Sequence, residues 1–368
     1  MNTEKFLIFL RLSISNNIRG KKELPLMSDI EWCELIQIAK RQCVFGLFLD
    51  ALDKARLHKI APPRKLLMQM IGSTMILEKL YQQQKNTIKK LSTLFFNKGI
   101  RMALIKGYGL SKLYSIPAHR GIGDIDVYFC GEGQCADTLI KEMGIEVKQN
   151  EEKHSVYDYD GVHVENHASI ICEQEHPSLL NVEAFLKNEL NTNTYLDSET
   201  GCWLPSAMFN AVFLPLHFAG HFVYGGANIR QIVDYALVVR NAKENSDHIK
   251  KSSFNLIDWE IVKNLAVETG YFNFLCCLNS ICIEYIGISA DCFPDWQKNE
   301  IMEKRILNEV LNPTTIEANS LKGKIKRYLG NRWKYQMVYS KENHLMGFLL
   351  RTRSWLNWKW GKKSVWSK

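Results

Sequence analysis

The sequence predicts an α+β protein, with a mixed sheet in the middle third of the chain and helical regions on its N- and C-terminal flanks. Three observations carry this expectation. Apolar residues recur at helical spacing before residue 98 and after residue 205. Between those points short apolar runs alternate with turns, among them a two-residue Asp160–Gly161 hairpin signal. The run GDIDVYF, at 123–129, has the apolar content of a buried strand but is interrupted by Asp124 and Asp126.

The elements follow in order. Ser28 and Glu31 have capping-box spacing ahead of Trp32, Leu35, Ile36 and Ala39, which predicts a helix start. Pro62–Pro63 breaks the chain, and 64–97 reads as one long helix ending before Gly99. Residues 102–105 read as a strand, 107–114 as a short helix, 115–123 as a loop, 124–130 as a strand and 136–143 as a helix. Two alternating strands around Asp160–Gly161 fill 154–167. Past Leu204–Pro205, helices are expected at 206–223, 228–241, 259–269 and 271–286. The resulting organisation is an N-terminal helical region at 1–98, an α/β core at 99–200, a C-terminal helical region at 201–310 and a tail at 311–368.

With 368 residues the chain is long enough for a sizeable core. Its charge is unevenly placed. Residues 321–368 hold 13 Lys or Arg against the single acid Glu342, a net of +12, and the remaining 320 residues carry −4. Trp333, Trp355, Trp358, Trp360 and Trp366 lie in that basic tail, which suits an anionic partner, either nucleic acid or a membrane surface, or a solvated appendage packed on the body. The ten cysteines show no CxxC pair and read as reduced thiols of a cytoplasmic protein. The start of the chain has too short an apolar run for a signal peptide. Residues 209–229 lack Asp, Glu, Lys and Arg, yet Pro215, His217, His221 and Gly225–Gly226 favour a buried helix and a turn over a transmembrane segment.

Strand side chains alternate between faces, so Asp124 and Asp126 are expected to share one face while Ile125 and Val127 fill the other. Paired carboxylates repel unless a cation neutralises them. Divalent metals do this with oxygen ligands, and Mg²⁺ leaves positions for phosphate; a salt bridge to Arg120 or a strand cap are the structural alternatives. Lys106, Gly107 and Gly109 precede the pair at a strand-to-helix turn where backbone N–H groups can face a phosphate. Arg120 lies in the loop before it, and Glu165 adds a third carboxylate on a later strand.

The order of strand, glycine turn, short helix, loop, DxD strand and later acidic strand resembles the DNA polymerase β-like nucleotidyltransferase superfamily. More closely, Leu104-Ile105-Lys106-Gly107, Leu113-Tyr114, Arg120 and Asp124-Ile125-Asp126 resemble the motif of a bacterial family of uncharacterised nucleotidyltransferases. Val164-Glu165-Asn166-His167, the Leu204–Pro205 entry with His217 and His221, and Arg230 with Asp234 extend the resemblance over roughly 30–290. It implies a polymerase β-like core that moves a nucleoside monophosphate from an NTP to a hydroxyl acceptor, which could be a small molecule, RNA or a protein. Asp124, Asp126 and Glu165 would be the catalytic and metal-binding residues, holding two Mg²⁺ or Mn²⁺ ions. Lys106, Gly107, Tyr108, Gly109, Arg120, His167 and Arg230 would bind substrate. The polymerase β-like enzymes usually have Gly-Gly or Gly-Ser where this chain has Gly107-Tyr108, so the serine–phosphate contact is missing. That departure leaves a second reading: a nucleotide- or RNA-binding module without turnover.

Two further pairs are weighed by spacing alone. His217 and His221 share a helix face, as zinc ligands can, but without the glutamate of an H-E-x-x-H motif they read as cleft-lining histidines. Arg230 and Asp234, four apart on a helix, read as an ion pair.

Overall fold

The computed structural model describes residues 3–15, 25–56, 60–150, 154–171, 176–246, 253–313 and 329–343, with 326 and 345. Four helices open the chain: α1 (Thr3–Ile14), α2 (Asp29–Arg41), α3 (Phe45–Arg56) and α4 (Arg64–Phe96). The capping box at α2 is formed: the Glu31 N–H donates to Ser28 Oγ, and the Ser28 N–H donates to Glu31 Oε2 at 2.9 Å. α4 starts behind Pro63 and runs to Asn97, after which Gly99 turns the chain at φ +73°. That left-handed conformation is where glycine is favoured past a helix end.

A seven-stranded mixed sheet follows, built from β1 (Ala103–Leu104), β2 (Ile125–Tyr128), β3 (Lys148–Asn150), β4 (His154–Tyr159), β5 (Val162–His167), β6 (Thr194–Leu196) and β7 (Trp203–Pro205). Its order is β3-β4-β5-β2-β1-β7-β6. β2 runs parallel to β5 and β1 parallel to β7, while the other neighbours are antiparallel. Three helices are interleaved: α5 (Tyr108–Ser111), α6 (Gly133–Glu142) and α7 (Leu180–Thr192). The β4–β5 hairpin turns on Asp160 and Gly161, at φ 51° and 73°, the two positive values that a tight primed turn requires.

One expectation is corrected here. The DxD strand begins at Ile125, not Asp124. β1 is two residues long, and the β2–β5 ladder starts at Ile125 opposite Val164, so Asp124 lies just before the sheet and is exposed. The two aspartates are therefore not equivalent. Asp126 is inside the sheet and 3% exposed. The strand period still sorts the faces: Ile125, Val127 and Val164 pack with Leu104 against Leu91 and Phe95 of α4. Asp126 and Glu165, which are register partners on β2 and β5, belong to the alternate positions and point to the opposite face.

α8 (Ala207–Tyr224) stands over that opposite face, and α9 (Ile229–Ser246), α10 (Trp259–Thr269), α11 (Phe272–Ile281) and α12 (Glu300–Leu311) follow it in the C-terminal helical region. α8 is apolar all round because it is buried all round. Ser206 caps it by accepting from the Phe209 N–H at 3.0 Å. Gly225 and Gly226 end it at φ 104° and 94°. Among the described residues no helix is long and apolar enough to cross a membrane. The two helical regions share one core, in which Phe6, Phe9 and Phe48 join Phe209, Phe218, Phe222 and Phe274. Arg11 of α1 ties them further by donating from Nε to the Tyr285 carbonyl at 2.9 Å, on the π-helical turn that ends α11.

The described part of the basic tail packs on this body through a last helix, α13 (Arg332–Val338). Trp333 stands edge-on to Phe222 at 5.5 Å, and Asn331 donates to the Val223 carbonyl at 2.7 Å. Trp355, Trp358, Trp360 and Trp366 lie outside the described residues. Glu342 anchors the segment by accepting from Ser178 Oγ at 2.6 Å and Tyr335 OH at 2.9 Å, with His176 Nδ1 at 2.7 Å. Glu342→Ala strands these buried partners and should lower unfolding stability at pH 7 by about 1–3 kcal/mol in urea denaturation. Burial opposes the Glu342 charge, but His176, Ser178 and Tyr335 together outweigh it and hold the carboxyl below its ordinary value. Its stabilisation is thus complete above the unfolded carboxylate value of roughly 4.3 and disappears as pH falls through the lower folded value. The wild-type advantage over Glu342→Ala should narrow across that acid range and not above it.

Candidate active site

The site is assembled where β1, β2 and β5 meet α8. Lys106 follows β1, and its Nζ lies 3.0 Å from Asp126 Oδ1. His167 ends β5, and its Nε2 lies 3.0 Å from the same oxygen and 3.5 Å from Glu165 Oε2. His167 Nδ1 faces the Ser169 carbonyl at 3.3 Å. A carbonyl and an ionised carboxylate can both only accept, so Nδ1 donates to Ser169 and Nε2 donates to Asp126. His154 lies across the hairpin from His167, with its Nε2 3.6 Å from Glu165 Oε1.

The electrostatics follow from this crowding. Burial opposes the Asp126 charge, but Lys106 and His167 outweigh it and hold the carboxyl well below the usual range. The hydrogen bond from His167 likewise lowers Glu165 against its own burial. Burial pulls His167 down, yet its bonds to Asp126 and Glu165 leave it above an ordinary imidazole. Asp124 goes the other way: partial desolvation at the cavity wall, then repulsion from Glu165 and Asp126, push it up. It is the carboxylate with uncompensated charge around it. Burial first, then Lys106, hold His217 and His221 below the usual imidazole range.

Asp126, Glu165 and His167 each offer one donor atom within 4.8 Å of the others, a spacing that can hold a metal ion. The chemistry of the set fits a divalent cation. Carboxylate oxygens are the hard donors that Mg²⁺ and Mn²⁺ take, and a cation here would relieve the repulsion felt by Asp124.

Two cavities open on this cluster. One, about 210 Å³, is lined by Lys106, Gly107, Asp124, Asp126, Asn228 and Arg230 among others. The second, about 460 Å³, is lined by Lys106, Asp124, Glu165 and His167 and extends over α8. Both share Lys106, Asp124, His217 and His221, so the carboxylates stand at their junction.

The sequence-expected residues divide into three groups. Asp126, Glu165, His167 and Lys106 converge, with Asp124 at the mouth. Gly107 is the N-cap of α5, at φ +72° and ψ −113°, a conformation open to glycine and strained for other residues. Tyr108, expected to bind substrate, instead sends its ring into the core, where it stacks on Tyr81 at 5.8 Å. Only its backbone can face the smaller cavity. Gly109 meets Leu204 on the sheet side, where a Cβ would come within 3.0 Å. Arg120 lines the smaller cavity, but its Nε and Nη2 donate to the two oxygens of Asp234, both at 2.7 Å. Tyr114 OH donates to the same carboxylate at 2.6 Å. This buried brace corrects the expected Arg230–Asp234 pair. Arg230 donates from Nη1 to the Gly121 carbonyl at 3.1 Å, and its Nε is buried without a hydrogen-bond partner in the wall of the smaller cavity.

His217 and His221 stand edge to face at 4.6 Å, outside the metal-competent cluster found among the described residues. His154 escaped the sequence reading, although counting outward from the Asp160–Gly161 turn places it opposite His167. Tyr339, which lines the larger cavity from the basic tail, carries no local sequence signal.

A sheet that presents adjacent carboxylates beside a glycine turn, at the meeting of two cavities, marks a site suited to group transfer between two substrates. The chain belongs to the family described as "Uncharacterised nucleotidyltransferase", which matches residues 28–287. No curated protein and no solved structure matches it.

Proposed function

We propose that the protein is a metal-dependent nucleotidyltransferase of polymerase β-like type that moves a nucleoside monophosphate from an NTP to a hydroxyl acceptor. The observation that carries the reading is the register pairing of Asp126 with Glu165, with Asp124 at its mouth, where two cavities meet. Family membership supports it.

Asp124, Asp126 and Glu165 would hold two Mg²⁺ or Mn²⁺ ions, which would neutralise the negative charge that develops during the transfer. The triphosphate lies in the smaller cavity, against the backbone of Gly107 to Gly109. Lys106 and the unpartnered Nε of Arg230 donate to its oxygens. Lys106 and Arg230 thereby stand in for the missing serine hydroxyl, while Arg120 fixes the loop through Asp234. The acceptor occupies the larger cavity. Its hydroxyl oxygen bonds to the α-phosphorus as the α–β anhydride bond breaks. Pyrophosphate leaves with the electron pair, and the hydroxyl proton passes to Glu165. His167 orients Asp126 and Glu165. The tail beyond 343 retains positive charge for an anionic partner.

Incubation with α-labelled ATP, GTP, CTP and UTP and Mg²⁺ or Mn²⁺ tests the reading. Label transfer with pyrophosphate release supports it; tight nucleotide binding without release favours a binding module. Gly107→Ala forces a side chain into a glycine conformation and should cost about 1–3 kcal/mol of stability. Nucleotide affinity should fall with it, as read by thermal unfolding and calorimetric titration.

A further inference from the structure

The larger cavity is too specific in its lining to serve every hydroxyl acceptor. Its charged residues, Lys106, Asp124 and Glu165, all stand at the carboxylate end. Beyond them the wall is built from Ile170, Leu179, Phe213, Leu216, Tyr224 and Tyr339, with no Lys, Arg, Asp or Glu there among the described residues. His217 and His221 form part of the floor, on α8. At about 460 Å³ it has the size of small-molecule sites, which run roughly 300–1,000 Å³.

One residue shows that the space belongs to the design of the helix. Gly220 lies inside α8, where glycine costs about 0.5–1 kcal/mol relative to alanine. It has no positive φ to justify it, and a Cβ built there meets nothing within 4 Å. Neither backbone conformation nor close packing calls for glycine at this position. What its missing side chain leaves is cavity.

Resting on the transfer reading above, we propose that the acceptor is an uncharged small molecule that carries a hydroxyl and an apolar or aromatic body. Its hydroxyl faces Asp124 and Glu165, and its body lies between α8 and the Tyr339 edge of the tail. An RNA end or a sugar phosphate would bring phosphates into a wall whose one lysine or arginine among the described residues, Lys106, is already shared between Asp126 and the triphosphate. A polycationic amino sugar would need carboxylates along its length, and the distal wall has none among the described residues. The described tail is thus part of the acceptor site: Tyr339 packs on His176 at 3.7 Å, ring on ring, and Glu342 holds His176.

The test uses the full chain and saturation-transfer NMR with three probes: 2-phenylethanol, ribose 5-phosphate and glucosamine. The aromatic alcohol should bind the wild type and the two charged sugars should not. Gly220→Leu, which replaces a helix-weakening residue and projects into open space, should remain folded by circular dichroism and weaken binding of the alcohol at least about tenfold. Gly72→Leu, on the remote helix α4 and equally unobstructed, is the control and should bind the alcohol like wild type. Preference for ribose 5-phosphate or glucosamine, no binding of the alcohol, or unchanged binding in a folded Gly220→Leu variant would overturn the proposal. Nucleotide binding is titrated separately in the wild type. If it fails while the alcohol binds and Gly220→Leu blocks it, the transfer reading falls and the cavity's ligand class stands.

Discussion

Asp126→Ala abolishes nucleotidyl transfer, by at least about a thousandfold in kcat/KM, the scale expected when charge stabilisation at the reacting centre is removed. The protein stays folded. Asp126 is buried, yet its loss leaves no charge trapped. Its two partners can each dispose of their charge once it is gone. Lys106 is 26% exposed and can turn its ammonium to water. His167 is held above an ordinary imidazole by Asp126 and Glu165 together, so losing one of them lets it discharge toward neutrality. No unpaired charge is left sealed inside. The far-ultraviolet circular dichroism of the variant should therefore match wild type, while label transfer disappears for every NTP. Full activity in the variant would discard the mechanism.

Asp234→Ala has the opposite profile. Asp234 receives both forks of Arg120 and the hydroxyl of Tyr114, and Arg120 is 4% exposed. Removing the carboxylate leaves a buried guanidinium without the carboxylate that takes both of its prongs. Breaking a buried pair from one side costs about 3–5 kcal/mol, so the urea midpoint should drop sharply. The double replacement of Arg120 by Met and Asp234 by Leu removes both charges and should be less destabilising than Asp234→Ala alone. Arg120→Lys should not rescue the loop, because an ammonium cannot reproduce a two-pronged contact. If Asp234→Ala unfolds like wild type, the brace does not hold the loop that leads into β2.

The sequence made the sheet's two faces legible because the information is local. Strand alternation separates Ile125 and Val127 from Asp126, and the two-residue turn at Asp160–Gly161 sets the β4–β5 register. Helix starts at Ser28 and Ser206 and the long α4 were equally plain, since caps and prolines act within a few residues. What was not legible depends on partners far apart in the chain. Asp234 was read as the neighbour of Arg230, four residues away, whereas its partner is Arg120, which only tertiary packing brings to it. Spacing places Tyr108 in a stretch expected to bind phosphate, yet its ring serves the core. Asp124 looked like the twin of Asp126, but β1 is too short to carry the sheet that far. The wall supplied by Tyr339 comes from a segment that charge alone marked as a surface. The third carboxylate was visible because an acidic strand residue beside His167 stands out; His154 was not, although the hairpin register contains it.

The central claim is that Asp126 and Glu165, with Asp124, form a seat for divalent cations that nucleotide completes. The most direct measurement is Mn²⁺ titration followed by electron paramagnetic resonance, with and without α,β-methylene ATP, in wild type, Asp126→Ala and Glu165→Gln. The account predicts that nucleotide tightens Mn²⁺ binding in the wild type to a stoichiometry of two, and that either substitution removes the enhancement. Mn²⁺ binding that is indifferent to nucleotide, or equal in all three proteins, would contradict it.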